Sequence, residues 1–352
     1  MAASASPEIE LTRELVALNT VNPGLVPGAP GECAAVERLA TRLEPQGFTI
    51  EIVGPDDRPS LIATRRVTDG PLLAFNGHLD TVGAGGMVDP FVPRIEDGRM
   101  YGRGTCDMKA GVAACVVAAE AVPEANVMLT LVADEENDSL GTLAVLEHLG
   151  TDLPAACVVA EPTWMELAGS HRGFSVVEVE LRGRAAHSSR PHDGDNAIDH
   201  LGRLLHAVEL PLMATLVRGG SALYTIPDRA HVTIEHRTQP GEPLHAGLEA
   251  VRALIAELDL DATATELIAR ESWQLGDHRL VSLFDAALDT PPRFDAPYWM
   301  ESALWEAAGV PTVVCGPAGG GLHTDLEWVE LDQLTRYTTA LREIIRAWPT
   351  SH

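Results

Sequence analysis

The chain carries histidines and acidic residues of the kind that bind metal ions, and they recur just after predicted strands. His78 and Asp80 follow the apolar run 71–75, which is typical of a buried strand. A carboxylate two residues after a histidine can hold a metal-ligating imidazole in position. The set of such residues is His78, Asp80, Asp107, Glu135, Glu136, Glu161 and His323. Because ligands of open parallel sheets bind beyond the carboxyl ends of the strands, we expect these side chains to meet at one edge of a sheet.

Each of these residues also has an ordinary interpretation when it is taken singly. A loop histidine can simply be hydrogen-bonded, and the acidic run 134–138 resembles a solvated turn that lacks the spacing of a calcium loop. Asp107 can cap the helix that is predicted to follow it. Their recurrence at successive strand ends favours a metal site, since independent accidents would not produce it.

Two histidines and three carboxylates can form two metal sites, each with one imidazole and one carboxylate, while the third carboxylate bridges them. Mixed nitrogen and oxygen ligands suit zinc, with cobalt or manganese as alternatives. Three carboxylates leave one positive charge on a pair of divalent ions, so a bridging hydroxide would neutralise the site. One glutamate is then left over, and a free carboxylate beside an activated water is what general-base catalysis requires.

The predicted elements alternate between helix and strand in the first and last parts of the chain. Strands that are separated by helices indicate an α/β fold, a mostly parallel sheet with helices on both faces. The Gly- and Pro-rich segment 83–104 is predicted as a loop excursion. Helices are predicted over 6–18, 32–43, 107–122, 139–149 and 331–348, and strands over 48–53, 72–75, 127–132, 155–160 and 312–315.

The middle of the chain has a different pattern, with the order strand–helix–strand–strand–helix–strand. Its predicted strands are 174–181, 222–226, 231–237 and 262–268, and its predicted helices are 196–208 and 244–258. This order is typical of a small α+β unit of ferredoxin-like type. We therefore expect a metal-binding domain formed by 1–170 and 280–352 and an inserted domain over 171–279.

The composition of the chain limits its partners and its location. A formal net charge of -26 argues against a nucleic-acid partner, because phosphate backbones require basic faces. The longest apolar run, 110–119, is too short to cross a bilayer, so no membrane partner is expected. The start, 1–7, has neither the basic segment nor the apolar core of a signal peptide, and the five cysteines have no paired spacing. We therefore expect a reduced, cytoplasmic protein.

Eight short segments form a pattern that extends over nearly the whole chain. They are Gly-His-Leu-Asp-Thr-Val, Gly-Arg-Gly-Thr-Cys-Asp-Met-Lys, Asp-Glu-Glu, Ala-Glu-Pro-Thr, Ala-His-Ser-Ser, Ile-Pro-Asp-Arg, Gly-Val-Pro-Thr-Val-Val and His-Thr-Asp-Leu-Glu-Trp-Val. This pattern resembles the metal-dependent family of acetylornithine deacetylase, succinyl-diaminopimelate desuccinylase, aminoacylase and glutamate carboxypeptidase. The closest resemblance is to its acetylornithine deacetylase-like members.

The resemblance implies a zinc-exopeptidase-like catalytic domain that holds two divalent metal ions. The implied ligands are His78 and Glu161 for one ion and Glu136 and His323 for the other, with Asp107 as the bridge. Glu135 would then be the general base, and Asp80 would orient the imidazole of His78. A cis peptide bond would follow the bridging residue, between Asp107 and Met108.

The resemblance also implies that the inserted domain is a lid and dimerisation domain and that the protein is a homodimer. His187 would reach the active site of the partner subunit and stabilise the oxyanion formed from the substrate. Arg237 would bind a carboxylate of the substrate. Taken without the resemblance, both residues would be ordinary surface charges or loop residues.

Three further features bear on the substrate. The backbone N–H groups of Gly319, Gly320 and Gly321 could bind the same substrate carboxylate. Tyr224 stands where many members have Asn. The segment 298–303, Tyr-Trp-Met-Glu-Ser-Ala, stands where many members have Gly-Thr-Asp-Ala. Both departures change the expected substrate contacts and leave the metal ligands unchanged.

We therefore expect a metallohydrolase that removes an N-acyl group, of acetyl or succinyl type, from an amino acid or a close derivative. A dipeptidase or carboxypeptidase with the same dinuclear site stays open, as does a non-catalytic metal-bound binding protein, which would have no use for the spare glutamate. Cys106 is expected to pack beside Asp107 rather than to act as a nucleophile, since no partner base is evident. The glycines of 83–86 do not indicate a nucleotide loop, because Pro90 and Pro93 prevent a following helix.

Overall fold

The structure is a computed structural model in which residues 6–348 are described. The chain divides into two compact units. The first contains the chain up to Gly169, Leu275–Phe294 and the chain from Met300 onward, and the second contains Ser170–Gln274 and Asp295–Trp299. The functional assignment of a catalytic domain and a lid stays a prediction.

The first unit combines helices with a six-stranded sheet and a small four-stranded sheet. Its helices are α1 (Pro7–Val16), α2 (Cys33–Leu43), α3 (Ala110–Glu120), α4 (Leu140–Leu149), α7 (Arg279–Leu288), α8 (Ser302–Ala307) and α9 (Leu331–Ala347). Its strands are β1 (Thr49–Val53), β2 (Ser60–Arg65), β3 (Leu73–His78), β4 (Arg94–Glu96), β5 (Arg99–Tyr101), β6 (Val127–Val132), β7 (Ala156–Val159), β15 (Thr312–Val314), β16 (Gly319–Gly320) and β17 (Trp328–Glu330).

The large sheet has the strand order β1-β2-β6-β3-β7-β15. The four strands from β6 to β15 are parallel, while β2 and β1 extend the sheet by antiparallel pairing. Strands β3, β6 and β7 are buried along their whole length, as expected for strands that are covered on both faces. The register pairs His78 with Val132, so that β3 and β6 end side by side.

Helix α3 is packed deeply into the core of this unit. Its residues 110–119 are small or apolar and all are buried. A Cβ at Gly111 would overlap the carbonyl oxygen of Ala160, so glycine lets the helix approach the backbone just beyond β7. The predicted helix 107–122 is wrong at its start, because Asp107 and Met108 have non-helical backbone angles and are joined by a cis peptide bond.

The second unit has the predicted ferredoxin-like arrangement. Its elements are β9 (Phe174–Arg182), α5 (Ala197–Ala207), β10 (Leu212–Gly219), β11 (Arg229–His236), α6 (Ala246–Glu257) and β12 (Ala262–Arg270). The sheet order is β10-β11-β9-β12. Inward residues of β9 and β11 form one core with residues of α5 and α6. Three short strands, β8 (Leu167–His171), β13 (Trp273–Gln274) and β14 (Arg293–Ala296), form a further sheet with the order β13-β8-β14.

The structure confirms the predicted fold class, an α/β unit with an inserted α+β ferredoxin-like unit, but further details differ from the prediction. The segment 222–226 is a turn, and the strand of the second unit is β10 instead. Strand β10 lies at an edge with most of its residues exposed, so it lacks the alternating apolar pattern that would reveal it. The strand β2 was not predicted, and the expected loop 83–104 contains the hairpin of β4 and β5.

Among residues 6–348, no helix has both the length and the apolar character needed to cross a membrane.

Candidate metal centre

The carboxyl ends of β3, β6 and β7 bring the predicted residues together at one edge of the large sheet. His78 is the last residue of β3, and the N–H of Leu79 donates to the carbonyl oxygen of Val132 at 2.8 Å. Glu135 and Glu136 follow β6, and Glu161 follows β7. The sheet therefore fixes the backbone from which these side chains extend.

Asp107 lies between the two histidines and presents a different oxygen to each. Its Oδ1 is 3.0 Å from Nε2 of His78, and its Oδ2 is 3.3 Å from Nε2 of His323. Glu161 Oε1 lies 3.9 Å from Nε2 of His78, and Glu136 Oε2 lies 3.1 Å from Nε2 of His323. Two overlapping groups of possible metal ligands result, His78–Asp107–Glu161 and Asp107–Glu136–His323, each with its ligand atoms within 4.8 Å of one another.

The chemistry of these donors fits a pair of divalent cations. Each group offers one imidazole and two carboxylates, with Asp107 common to both, which is a donor set suited to zinc and similar ions. Burial and the neighbouring charge of Asp107 raise the pKa of Glu161 well above its usual value. Burial opposes a charged His78, but hydrogen bonds with Asp107 and Asp80 raise its pKa well above its usual value. Buried carboxylates that repel one another are stabilised by bound cations.

Glu135 has the properties of a carboxylate that can hold a proton. Burial, together with the charge of Glu161, raises its pKa well above the usual value. Its backbone N–H donates to Oδ1 of Asp80 at 3.1 Å, which ties its position to the end of β3. A raised pKa is the property that a general base acting near neutral pH requires.

Asp80 supports the site through both its backbone and its side chain. Nδ1 of His78 lies 3.0 Å from the carbonyl oxygen of Asp80 and 3.5 Å from its Oδ1. The carboxylate also accepts the N–H of Glu136 at 3.2 Å and the Nδ2 amide of Asn22 at 2.7 Å. Asp80 therefore contacts the imidazole of His78 and holds the loop that follows β6 in place.

A buried polar chain continues beyond Asp80 and was not predicted from the sequence. Nδ2 of Asn22 also donates to Asp134 Oδ1 at 3.0 Å, and Nη2 of Arg58 lies 2.8 Å from the same oxygen. Arg58 binds both oxygens of Glu32, at 2.8 and 2.9 Å. All the residues of this polar network are buried. They are far apart in the sequence, and no local motif reveals the network.

Glu301 is a further buried carboxylate that the sequence did not single out as a site residue. Its Oε2 accepts hydrogen bonds from Asn76 Nδ2 at 2.8 Å and from Thr142 Oγ1 at 2.7 Å. Burial raises its pKa to about 7. Asn76 lies in β3 two residues before His78, so Glu301 supports the strand that carries His78.

Cys106 is packed rather than activated, as expected. Burial and the adjacent charge of Asp107 raise the pKa of its thiol, which disfavours the nucleophilic thiolate. Gly319 lies against it, since a Cβ at Gly319 would be 2.5 Å from the sulfur. Gly319 and Gly320 pair with β17, and Gly321 has a positive φ of 73°.

The remaining predicted substrate residues lie in the second unit. His187 is exposed, and its Nδ1 is 2.8 Å from Oγ of Ser189. Tyr224 is exposed in the turn, and its carbonyl oxygen accepts the N–H of Ser188 at 2.9 Å. Arg237 forms an ion pair with Glu235 and lies over the ring of Phe174, 5.4 Å from its centroid. Roles in substrate binding stay predictions for all three.

Comparison with known proteins identifies the family. A model of peptidase family M20/M25/M40 matches residues 74–347. The chain is 31% identical to N-acetyl-L-citrulline deacetylase of Xanthomonas campestris pv. campestris, covering 96% of this chain and 97% of that protein. It is 29% identical to succinyl-diaminopimelate desuccinylase of Cereibacter sphaeroides, covering 97% of this chain and 99% of that protein.

Solved structures share the fold. The M20 family metallo-carboxypeptidase Sso-CP2 from Sulfolobus solfataricus matches with a TM-score of 0.82 and 14% identity, over 98% of this chain and 100% of that one. A dinuclear metal-binding peptidase of the M20 family from Bacillus subtilis matches with a TM-score of 0.76 and 18% identity, over 98% of each chain. The predicted resemblance is thereby confirmed: this chain belongs to peptidase family M20/M25/M40 and is a metal-dependent hydrolase of amide bonds.

Proposed function

We propose that the protein removes an N-acyl group of acetyl or succinyl type from an amino acid or a close derivative. The observation that carries this proposal is the position of Asp107, whose two carboxylate oxygens face two different imidazoles. We assign His78 and Glu161 to one metal ion, Glu136 and His323 to the other, and Asp107 to both. Full-length similarity to two deacylases of amino-acid derivatives supports the substrate class.

Two divalent ions, zinc or else cobalt or manganese, would polarise the amide carbonyl and lower the pKa of the attacking water. Glu135 takes the proton of this water and returns it to the departing amine. Its raised pKa and its position beside Glu136 support this role. Asp80 keeps the imidazole of His78 oriented during the reaction.

We also propose which residues contact the substrate. Arg237 binds the substrate carboxylate together with the backbone of Gly319, Gly320 and Gly321. His187 donates a hydrogen bond to the oxyanion. Tyr224 contributes to the same contact set.

We further propose that the second unit is a lid through which the protein forms a homodimer, so that His187 acts in the active site of the partner. The edge strand β10 supports this assignment, because no strand within residues 6–348 pairs with its outer side and its apolar residues Leu216 and Val217 are 69% and 56% exposed. Light scattering that finds a monomer would refute the dimer. A cytoplasmic location is supported by the five cysteines, all of which are free.

The general base is tested by Glu135→Ala, with Glu51→Ala as the control. Glu51 is a surface glutamate that pairs with His148, so its loss should leave turnover unchanged. Glu135→Ala should retain both metal ions, measured by inductively coupled plasma mass spectrometry, and lose about 10²- to 10⁴-fold in kcat. Full activity of this variant would end the assignment.

The substrate class is tested separately with a panel of N-acetyl amino acids, N-succinyl amino acids and dipeptides. Preference for the acylated amino acids supports the proposal. Preference for dipeptides would make the protein a dipeptidase or carboxypeptidase with the same site. Absence of turnover across the panel with both metal ions bound would indicate a metal-bound binding protein.

A further inference from the structure

We infer that Glu327 is a positioning residue that fixes the Asp107–Glu136–His323 metal site. It does so by joining the segment that carries Asp107 to the loop that carries His323. This inference rests on the proposed function, because it requires a metal ion at that ligand set.

The carboxylate of Glu327 accepts four hydrogen bonds from one short segment. Its Oε1 accepts the N–H groups of Cys106 at 2.8 Å and of Asp107 at 3.0 Å. Its Oε2 accepts the N–H of Gly104 at 2.9 Å and Nη1 of Arg103 at 2.7 Å. The side chain is 1% exposed, so water does not compete for these donors.

Arg103 also joins the segment 102–107 to the loop 323–327. Its Nη2 donates to the carbonyl oxygen of Thr324 at 2.9 Å, next to the ligand His323, while its Nη1 donates to Glu327. The carbonyl oxygen of Glu327 also accepts the N–H of Gly102 at 3.2 Å. The segment 102–107 and the loop 323–327 are therefore held together at both backbone and side-chain level.

The two metal sites differ in how much they depend on this connection. His78 lies within β3 and Glu161 directly follows β7, and both strands are held by ladders in the middle of the large sheet. His323 lies in an irregular loop, has a positive φ of 59° and keeps 53% of its side chain exposed. Loss of the connection should therefore release His323, whereas the other site keeps His78 and Glu161 in place and is affected only through Asp107, which both sites share.

Glu327→Gln removes the connection with little change of shape. The amide has one acceptor oxygen and one donor NH₂ group in place of two acceptor oxygens. Its NH₂ group must face either the N–H groups of Cys106 and Asp107 or those of Gly104 and Arg103. Either orientation leaves buried donors without acceptors, which costs stability and permits the segment to shift.

Two further variants make the test specific. Arg103→Lys keeps the positive charge but cannot bind Glu327 and Thr324 through the two arms of a guanidinium. Glu330→Gln is the matched control. Glu330 is three residues from Glu327 and lies in β17, where its partly exposed carboxylate pairs with Arg99 at 2.8 and 2.9 Å.

Zinc affinity is measured by titrating chelator-treated protein against a chromophoric competitor, and folding is checked by circular dichroism. Glu327→Gln should weaken zinc binding at the site of His323 about 10- to 100-fold and at the other site less, because only the shared ligand Asp107 is disturbed there. Arg103→Lys should shift the same site in the same direction, and Glu330→Gln should match the wild type. If Glu327→Gln does not fold, the prediction is tested on Arg103→Lys.

A double-mutant cycle with His323→Ala identifies the affected site. On the His323→Ala background, Glu327→Gln should weaken the remaining zinc affinity by less than it weakens the His323 site when it is the only substitution. Equal weakening of both sites, or no weakening of either, would overturn the inference while the proposed function stands. A wild-type protein that binds fewer than two zinc ions would overturn the proposed function and the inference together.

Discussion

Replacement of Arg58 by methionine should destabilise the protein strongly. The side chain of Arg58 is 9% exposed, and its guanidinium lies between Glu32 and Asp134, whose side chains are both fully buried, with contacts of 2.8 Å to each. The variant would leave two buried carboxylates without their cation. Breaking a buried ion pair from one side costs about 3–5 kcal/mol, so the free energy of unfolding should fall by about this amount.

The stability lost in Arg58→Met should grow as the pH rises, and the direction of this change follows from the pKa of Glu32. Burial already raises the pKa of Glu32 above its usual value, while Arg58 opposes this shift. Without Arg58 the pKa of the folded protein rises further above that of the unfolded chain. The folded variant then binds more protons than the unfolded chain at mildly acidic pH, so its stability declines as the pH rises through the folded pKa.

Urea unfolding of both proteins at about pH 5.5 and pH 8 measures this effect. Arg66→Met is the control, because the pair of Arg66 with Asp152 is exposed and its loss should cost no more than about 1 kcal/mol. The double variant Glu32→Gln/Arg58→Met should recover part of the loss. A cost for Arg58→Met below about 1 kcal/mol, or the same cost at both pH values, would refute the reasoning.

Four further outcomes are expected. Asp80→Asn should weaken metal binding about 10- to 100-fold, measured by competitive zinc titration, because it disturbs the support of the ligating imidazole and of the loop after β6. Burial lowers the pKa of Lys109 to about 7, so above that pH the unfolded chain binds more protons than the folded protein. The free energy of unfolding in urea should therefore rise from about pH 7 to pH 9, and Lys109→Met should abolish this rise. Gly111→Ala should lower the free energy of unfolding by about 1–3 kcal/mol in the same urea assay, because the new Cβ overlaps the backbone beyond β7. Gly202 is the control: it is exposed in helix α5 with open space around it, so Gly202→Ala should raise the free energy of unfolding by about 0.5–1 kcal/mol. Trp299→Gly should raise KM for a carboxylate-bearing substrate more than it lowers kcat, with an unchanged metal content.

The proximity of the predicted ligands could be inferred from the sequence because it follows from the positions at which strands end. His78 and Glu161 end or follow strands that are continuous apolar runs, and such runs are easy to recognise. The rule that parallel strands collect their ligands at one edge then places them together. The roles of these residues in binding metal came from the resemblance and are still to be tested.

The buried residues that hold the site in place could not be predicted from the sequence in the same way. Arg58 and Glu32 are separated by 26 residues, and Asn22 and Asp134 by 112, so that only the folded chain brings them into contact. Charged residues in such contexts are usually solvated, and no periodic pattern marks the exceptions. Strand β10 escaped detection for a related reason, since an exposed edge strand has little alternation of polar and apolar residues.

The segment 298–303 departs from the family pattern and is divided between the two units. Its residues are therefore expected to act separately on the proposed metal site and on the proposed substrate contacts. Glu301 belongs to the first unit and hydrogen-bonds Asn76 in β3, whereas Trp299 belongs to the second unit. The ring of Trp299 meets Phe174 edge-on, with centroids 6.0 Å apart, and Arg237 lies over the same Phe174 ring. If Arg237 binds the substrate carboxylate as proposed, the bulky Trp299 helps to orient that guanidinium through Phe174 within the second unit. A change at Trp299 should therefore alter which substrates bind while the metal ions and the base remain in place, which is why KM and metal content are the two quantities that separate these roles.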